Sequence, residues 1–178
     1  QHPGTPVRIV SSVWGEEFDR ERFDLDIRYG SGDWPGFRSD RLTWEKLEPL
    51  CAPSMLDSLR EPADLRHHRL LHILGYEDGW ATWLKAAKVS QVNVGEGIQF
   101  DTSLLAFEVA ARGGGVALGR SSMAEPELVS GRLVRPFDLA VPIREAFHMI
   151  APAGAREHPD AAVFREWILS QAIAARAA

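Results

Sequence analysis

The chain has 178 residues, and 20 Lys and Arg against 25 Asp and Glu leave a formal net charge of −5. Hydrophobic residues at 45% and charged residues at 25% are globular values, which exclude disorder, a collagen-like repeat or a coiled coil as descriptions of the whole chain. The acidic balance argues against a grip on nucleic acid by this chain alone, because phosphate binding needs clustered Lys and Arg.

At this length folding should bury roughly 70% of the unfolded surface, enough for a core without staples. A single cysteine, Cys51, cannot close a disulfide, so nothing suggests a secreted disulfide scaffold. No apolar stretch approaches the ~18 residues of a membrane span. Gln1-His2-Pro3-Gly4 has no signal-peptide core, and the missing initial Met points to a fragment or a processed product.

Strands and helices alternate along the chain. Val7 to Val10, a β-branched run after Pro6, reads as a strand, and Glu16 to Arg22 as helical. Phe23, Leu25 and Ile27 alternate with Asp24 and Asp26, the period of a half-buried strand that ends at Arg28-Tyr29-Gly30. The turn residues from Ser31 to Gly36 follow. Leu42 to Leu50 reads as extended and is stopped by Pro53, which suits the first turn of a short helix over Ser54 to Ser58. Arg69 to Leu74 reads as a strand. Gly79 to Lys88 reads as a helix with Trp80, Trp83, Leu84 and Ala87 on one face.

The most regular part comes next. Gly97 to Phe100 is a strand, Asp101 a good N-cap and Thr102 to Arg112 a helix. Gly113-Gly114-Gly115 ends it, with a glycine available for the left-handed C-cap position. Val116 to Gly119 is a compact apolar strand. Ser121 or Ser122 caps a helix running to Ser130, which Gly131 ends. Short links in this strand–helix–strand–helix run imply right-handed crossovers in a mostly parallel sheet. Glu145 to Ala151 is a further strand. The last helix spans Pro159 to Ala174, with Phe164, Trp167, Ile168 and Gln171 as its buried stripe and edge.

In an open α/β sheet, ligands bind beyond the carboxyl ends of the strands, where helix N-termini point. Three strand ends qualify: Tyr29-Gly30, Asp101-Thr102-Ser103 and Gly119-Arg120-Ser121. The helix start near Thr102 offers free N–H groups, the positive dipole end and two hydroxyls, which suit a carboxylate or a polar amide. The alternative is that Asp101 only caps the helix while Thr102 and Ser103 face solvent. For Tyr29 and Trp34 the alternative is packing under a loop. Arg28 and Arg120 hint at an anion, although surface arginines are usually just solvated.

Other signals are bland. His68 and His72 have the i, i+4 spacing of metal ligands on a helix, but the segment reads as a turn entering a strand, so both are ordinary histidines. Cys51 lacks a nucleophile motif and reads as a small buried residue. The Gly113 to Gly115 run follows a helix, unlike a dinucleotide fingerprint, and there is neither a G-x-S-x-G nor a P-loop. No cofactor, no metal and no catalytic constellation is expected.

Phe23 to Gly30, followed by Gly32-Asp33-Trp34-Pro35-Gly36, resembles the effector-binding (substrate-binding) domain of LysR-type transcriptional regulators. Further matches follow in the family's order: Leu47 to Pro53, Asp78-Gly79-Trp80 with Trp83-Leu84, and Phe100-Asp101-Thr102-Ser103. Gly113 to Gly119, Gly131 to Phe137 and Ala146 to Pro152 complete the set. The Trp-Pro-Gly and Gly-Trp pieces look most like the branch of the glycine-cleavage activator and the β-lactamase regulator.

The resemblance covers nearly the whole chain and implies an α/β fold of the periplasmic-binding-protein type II. Two α/β subdomains would be joined by two crossing strands, with a small-molecule cleft between them. Mapped here, subdomain I is residues 1–48 plus 147–178 and subdomain II is 49–146. The family's cleft positions fall on Tyr29, Gly30, Thr102, Ser103 and Phe147. Where the β-lactamase regulator branch carries a tyrosine, this chain has Phe147, which cannot donate a hydrogen bond.

The resemblance further implies a ligand-sensing domain that binds a small polar or anionic metabolite and turns nothing over. It implies a cytoplasmic regulator, a homodimer or homotetramer at full length, with DNA contacted only through a helix-turn-helix. That helix-turn-helix, and the family's opening strand and helix, are absent from these residues. Ligand binding and dimer geometry are therefore expected to depend on them. A solute-binding protein of a transport system is the competing reading on the same fold, and an enzyme on this scaffold is a more distant one.

Overall fold

The structure is a computed structural model and describes residues 7–11, 23–76, 79–154 and 157–177. The elements run β1 (Asp26–Gly30), β2 (Phe37–Arg41), β3 (Lys46–Leu50), β4 (Leu70–Ile73), α1 (Gly79–Ala86), β5 (Ile98–Phe100) and α2 (Ser103–Ala111). They continue with β6 (Val116–Arg120), α3 (Ser121–Val129), β7 (Val141–Pro142), β8 (Ala146–Pro152) and α4 (Pro159–Ala177). Short 3-10 helices occupy Pro53–Ser58 and Pro62–His67. The chain packs as two compact units: residues up to Trp44 together with those from Arg144 onward, and Glu45–Ile143.

The first unit is built on a three-stranded sheet in which β8 lies between β1 and β2, antiparallel to both. Ala146, Met149 and Ile150, all on β8, are its fully buried apolar residues among those described. Three expectations change here. The strand expected over Val7 to Val10 is absent: residues 7–11 have no regular structure, and Ile9 is 86% exposed. No ladder reaches them, and β-branched side chains favour a strand only when a neighbour pairs with it. The strand expected from Phe23 begins at Asp26, and the polar run Phe37–Arg41, assigned to no element above, forms β2. The helix expected over Glu16 to Arg22 lies outside the described residues.

The helix α4 also departs from expectation. Phe164 and Ile168 are only half-buried, Gln171 is exposed and Trp167 is 49% exposed, while Ala161 alone is buried. Its polar side holds it as well: Arg165 pairs with Glu157 at 3.1 Å, and the Arg176 guanidinium stacks on Trp44.

The second unit is a five-stranded sheet in the order β5-β4-β6-β3-β7. The strand β4 is parallel to β5 and β6, whereas β3 is antiparallel to β6 and β7. The sheet is thus mixed, parallel only where helices cross between strands. All five residues of β6 are buried. Val116 and Leu118 enter one apolar cluster with Trp80, Trp83 and Leu84 of α1. Ala117 enters another with Ala106, Phe107 and Ala110 of α2 and Ala124 of α3. Period-two alternation therefore feeds a core on each face of the sheet.

Helix ends show which local signals prevailed. Thr102, not Asp101, caps α2, its Oγ1 accepting from the Leu105 N–H at 3.4 Å. Gly113, at φ +76°, ends that helix: its N–H donates to the Ala110 carbonyl and the Gly114 N–H to the Val109 carbonyl, a Schellman motif. The same motif ends α1, where the Val89 N–H reaches the Leu84 carbonyl and the Lys88 N–H the Lys85 carbonyl. There the left-handed position is filled by Lys88 at φ +58°, the only non-glycine residue with positive φ among the described residues.

At the start of α3, neither Ser121 nor Ser122 is the cap. The buried carboxylate of Glu45, far away in sequence, accepts from the Ser122 N–H (3.1 Å) and from both serine hydroxyls. It stands against the positive end of the helix.

Trp83 is fully buried, its indole N–H donating to the Leu139 carbonyl at 3.0 Å. Trp83→Ala is expected to destabilise the chain by about 3–5 kcal/mol, read from the urea midpoint. Lys88→Gly removes a left-handed Cβ and is expected to stabilise by about 1 kcal/mol in the same measurement.

Candidate functional site

The five residues singled out above fall into two sets, one on each unit. On the first unit, the β1–β8 register sets Tyr29 opposite Phe147 and Gly30 opposite Ala146. The Tyr29 and Phe147 rings meet edge to face, centroids 5.2 Å apart. The Phe147 backbone is held on its other side: its N–H donates to Thr43 Oγ1 at 2.9 Å, and its carbonyl accepts from the Leu42 N–H at 2.9 Å. Gly30 is packed beneath the Trp34 ring, so closely that a Cβ would lie 3.0 Å from Trp34 Cζ2. This unit therefore presents a half-buried aromatic pair and a backbone stretch without a side chain.

Below the same loop sits His148, buried on β8, with the Trp34 ring edge-on at 5.6 Å. Its Nδ1 lies 3.0 Å from the Ala146 carbonyl and therefore donates to it. Burial holds the imidazole below its ordinary pKa of 6.5, and the Arg41 charge adds to that effect. The Ala146 carbonyl and Asp33 oppose it. His148 is a neutral prop under the turn, not a charged contact. Sequence reasoning missed it because nothing local marks a histidine as the floor of a loop over a hundred residues away.

On the second unit, Thr102 and Ser103 open α2, both half-buried. Thr102 Oγ1 accepts the capping hydrogen bond, and its O–H remains able to donate. The Ser103 hydroxyl and the first two N–H groups of α2 make no hydrogen bond among the described residues. They form a donor cluster at the positive end of a nine-residue helix, suited to a carboxylate, phosphate or amide oxygen.

The two arginines that hinted at an anion are not simply solvated. Arg28 pairs with Asp26 at 2.6 Å. Arg120 is buried, its guanidinium 3.3 Å from the Tyr76 ring centroid. His68 and His72 do not converge: their Nε2 atoms lie against the separate carbonyls of Ser58 and Glu96. Among the described residues no three His, Cys, Asp or Glu side chains gather as metal ligands. Burial raises the Cys51 thiol to about 11, which makes it a poor nucleophile. Among the described residues no helix is long and apolar enough to cross a membrane.

Comparison with known proteins gives one consistent result. The glycine cleavage system transcriptional activator of Escherichia coli K12 is 36% identical over 176 residues, 97% of this chain and 57% of that protein. The HTH-type transcriptional activator AmpR of Citrobacter koseri is 33% identical over 171 residues, 96% of this chain and 59% of that protein. Among solved structures, the effector domain of the transcriptional regulator AmpR of Pseudomonas aeruginosa superposes with a TM-score of 0.87. Its identity is 32%, over 97% of this chain and 84% of that one.

The chain thus spans a little under three-fifths of the length of these curated relatives, which are named as regulators, not enzymes. The fold is the α/β, type II periplasmic-binding-protein-like architecture of an effector-binding domain. Residues 1–173 match the LysR substrate binding domain, and the chain belongs to that family.

Proposed function

We propose that this chain senses a small polar or anionic metabolite on behalf of a LysR-type transcriptional regulator, without turnover. The observation that carries the reading is the start of α2, where the Ser103 hydroxyl and two helix N–H groups are left without partners beside a Thr102 cap. Such a cluster stabilises an oxyanion by charge-assisted hydrogen bonds. Tyr29, Gly30 and Phe147 supply the second set of contacts: an edge-to-face ring pair and a half-buried stretch of backbone. Phe147 offers packing only, so polar recognition on that unit falls to Tyr29 and to the main chain.

In this reading the two compact units serve as the effector subdomains expected at 1–48 plus 147–178 and at 49–146. An effector can shift the balance of a two-state domain only by its difference in affinity for the two states. The response would pass to a DNA-binding helix-turn-helix outside these residues, within a homodimer or homotetramer of the whole regulator, working in the cytoplasm. The transport alternative has no support, since the matching family and the named relatives are regulatory.

A thermal-shift screen against amino acids, small carboxylates and cell-wall peptides tests the proposal, because a compound that binds only the folded chain raises the melting temperature. Ser103→Ala is expected to weaken the effector found in this way about tenfold, with little change in the melting temperature of the free chain. Unchanged affinity would remove the start of α2 from the site.

The neutral prop under the Tyr29–Gly30 turn has its own signature. Because the folded chain disfavours protonated His148, the unfolded chain binds more protons below pH 6.5. Its contribution to stability is therefore present above that pH and lost on acidification. Urea midpoints at pH 8 and pH 5 should differ more for the parent chain than for His148→Gln.

A further inference from the structure

Beside α1, and sharing no residue with the sets above, lies an open groove of about 390 Å³. Its volume falls within the range of about 300–1,000 Å³ usual for small-ligand sites. Leu84, Val89, Val92 and Val94 form its apolar lining, and Lys85 and Lys88 stand at the same groove. Leu84 is buried, and Val89 and Val92 pack against the core behind it, so the floor is rigid. Val94 is 39% exposed at the rim.

Two further observations concern the lysines. Neither ammonium group has an ion pair or hydrogen bond among the described residues. Several arginines of the same unit, by contrast, are paired with carboxylates. Lys88 also occupies the left-handed position of a Schellman motif, where glycine would be unstrained. Lys88 thus places a cation at a backbone position that strains an L side chain. Its net charge of −5 gives no general attraction for anions, so any preference for one must be local.

From this we propose that the groove is a second ligand site, for a small amphipathic anion: a carboxylate carried on an unbranched apolar tail. The tail covers Leu84, Val89, Val92 and Val94, and the carboxylate is shared by the Lys85 and Lys88 ammonium groups. Burying the tail removes apolar surface from water on both partners, and desolvation around it strengthens the attraction between the carboxylate and the lysines.

The test is an amide-resolved NMR titration of the 178-residue chain with octanoate, 1-octanol and acetate. Expected is saturable binding of octanoate, with shifts concentrated at residues 81–94. Octanol and acetate should each bind at least about tenfold more weakly, one lacking the charge and the other the tail. The double variant Lys85→Gln/Lys88→Gln should lower octanoate affinity by a similar factor and leave octanol binding unchanged. Octanol binding as tightly as octanoate, or indifference to the double variant, would reduce the groove to an apolar crevice and overturn the proposal. So would saturable shifts at residues 29–30, 102–103 or 147 with none at 81–94, and so would the absence of saturation.

Discussion

Strand β6 is the constraint on which the second unit depends. It lies inside a sheet with helices on both faces, so each of its residues must fit an interior, and it has no solvent side to relax into. One side chain in two is large, as Val116 and Leu118 meet the tryptophan cluster of α1. The alternate ones are small, because a Cβ at Gly119 would come within 2.5 Å of Leu50 Cδ1 and 3.2 Å of the Ala124 Cβ. A Cβ there would displace the buried Leu50 side chain of β3 and press on α3, and packing at interior density leaves little room for either. The helices that carry candidate binding groups take their positions from this strand.

Helix ends then decide what those positions offer. The start of α3 is filled by the Glu45 carboxylate, and so it is no longer free to receive a ligand anion. The start of α2 is satisfied only in part, by Thr102, and keeps donors unspent. Two helices with similar sequence signals thus have opposite capacities, and the buried glutamate just before β3 makes the difference.

The first unit supplies a different chemistry. Its sheet is small and antiparallel, and the aromatic pair it presents is created by register: one residue of slip would move Tyr29 or Phe147 to the other face. The turn after Gly30 rests on Trp34 and on a neutral His148.

Local chemistry by itself determined the elements that carry strong periodic or turn signals. The tryptophan face of α1, the glycine stop after α2, the compact strand β6 and the turn after Gly30 were all legible, because each rests on side-chain spacing or on the backbone freedom of particular residues. So was the placing of Thr102 and Ser103 at a helix start, though not which of the neighbouring residues makes the cap. Family membership was legible too, from ordered short motifs and not from any single residue. Only the tertiary structure decided the rest. It left Val7 to Val10 without a partner strand, made β2 from a polar run, and turned the expected parallel sheet into a mixed one. It set Tyr29 against Phe147 and capped α3 with Glu45 in place of a local serine. The physical reason is common to these cases: pairing, long-range capping and burial each need a partner distant in sequence, and spacing along the chain carries no record of which partner arrives.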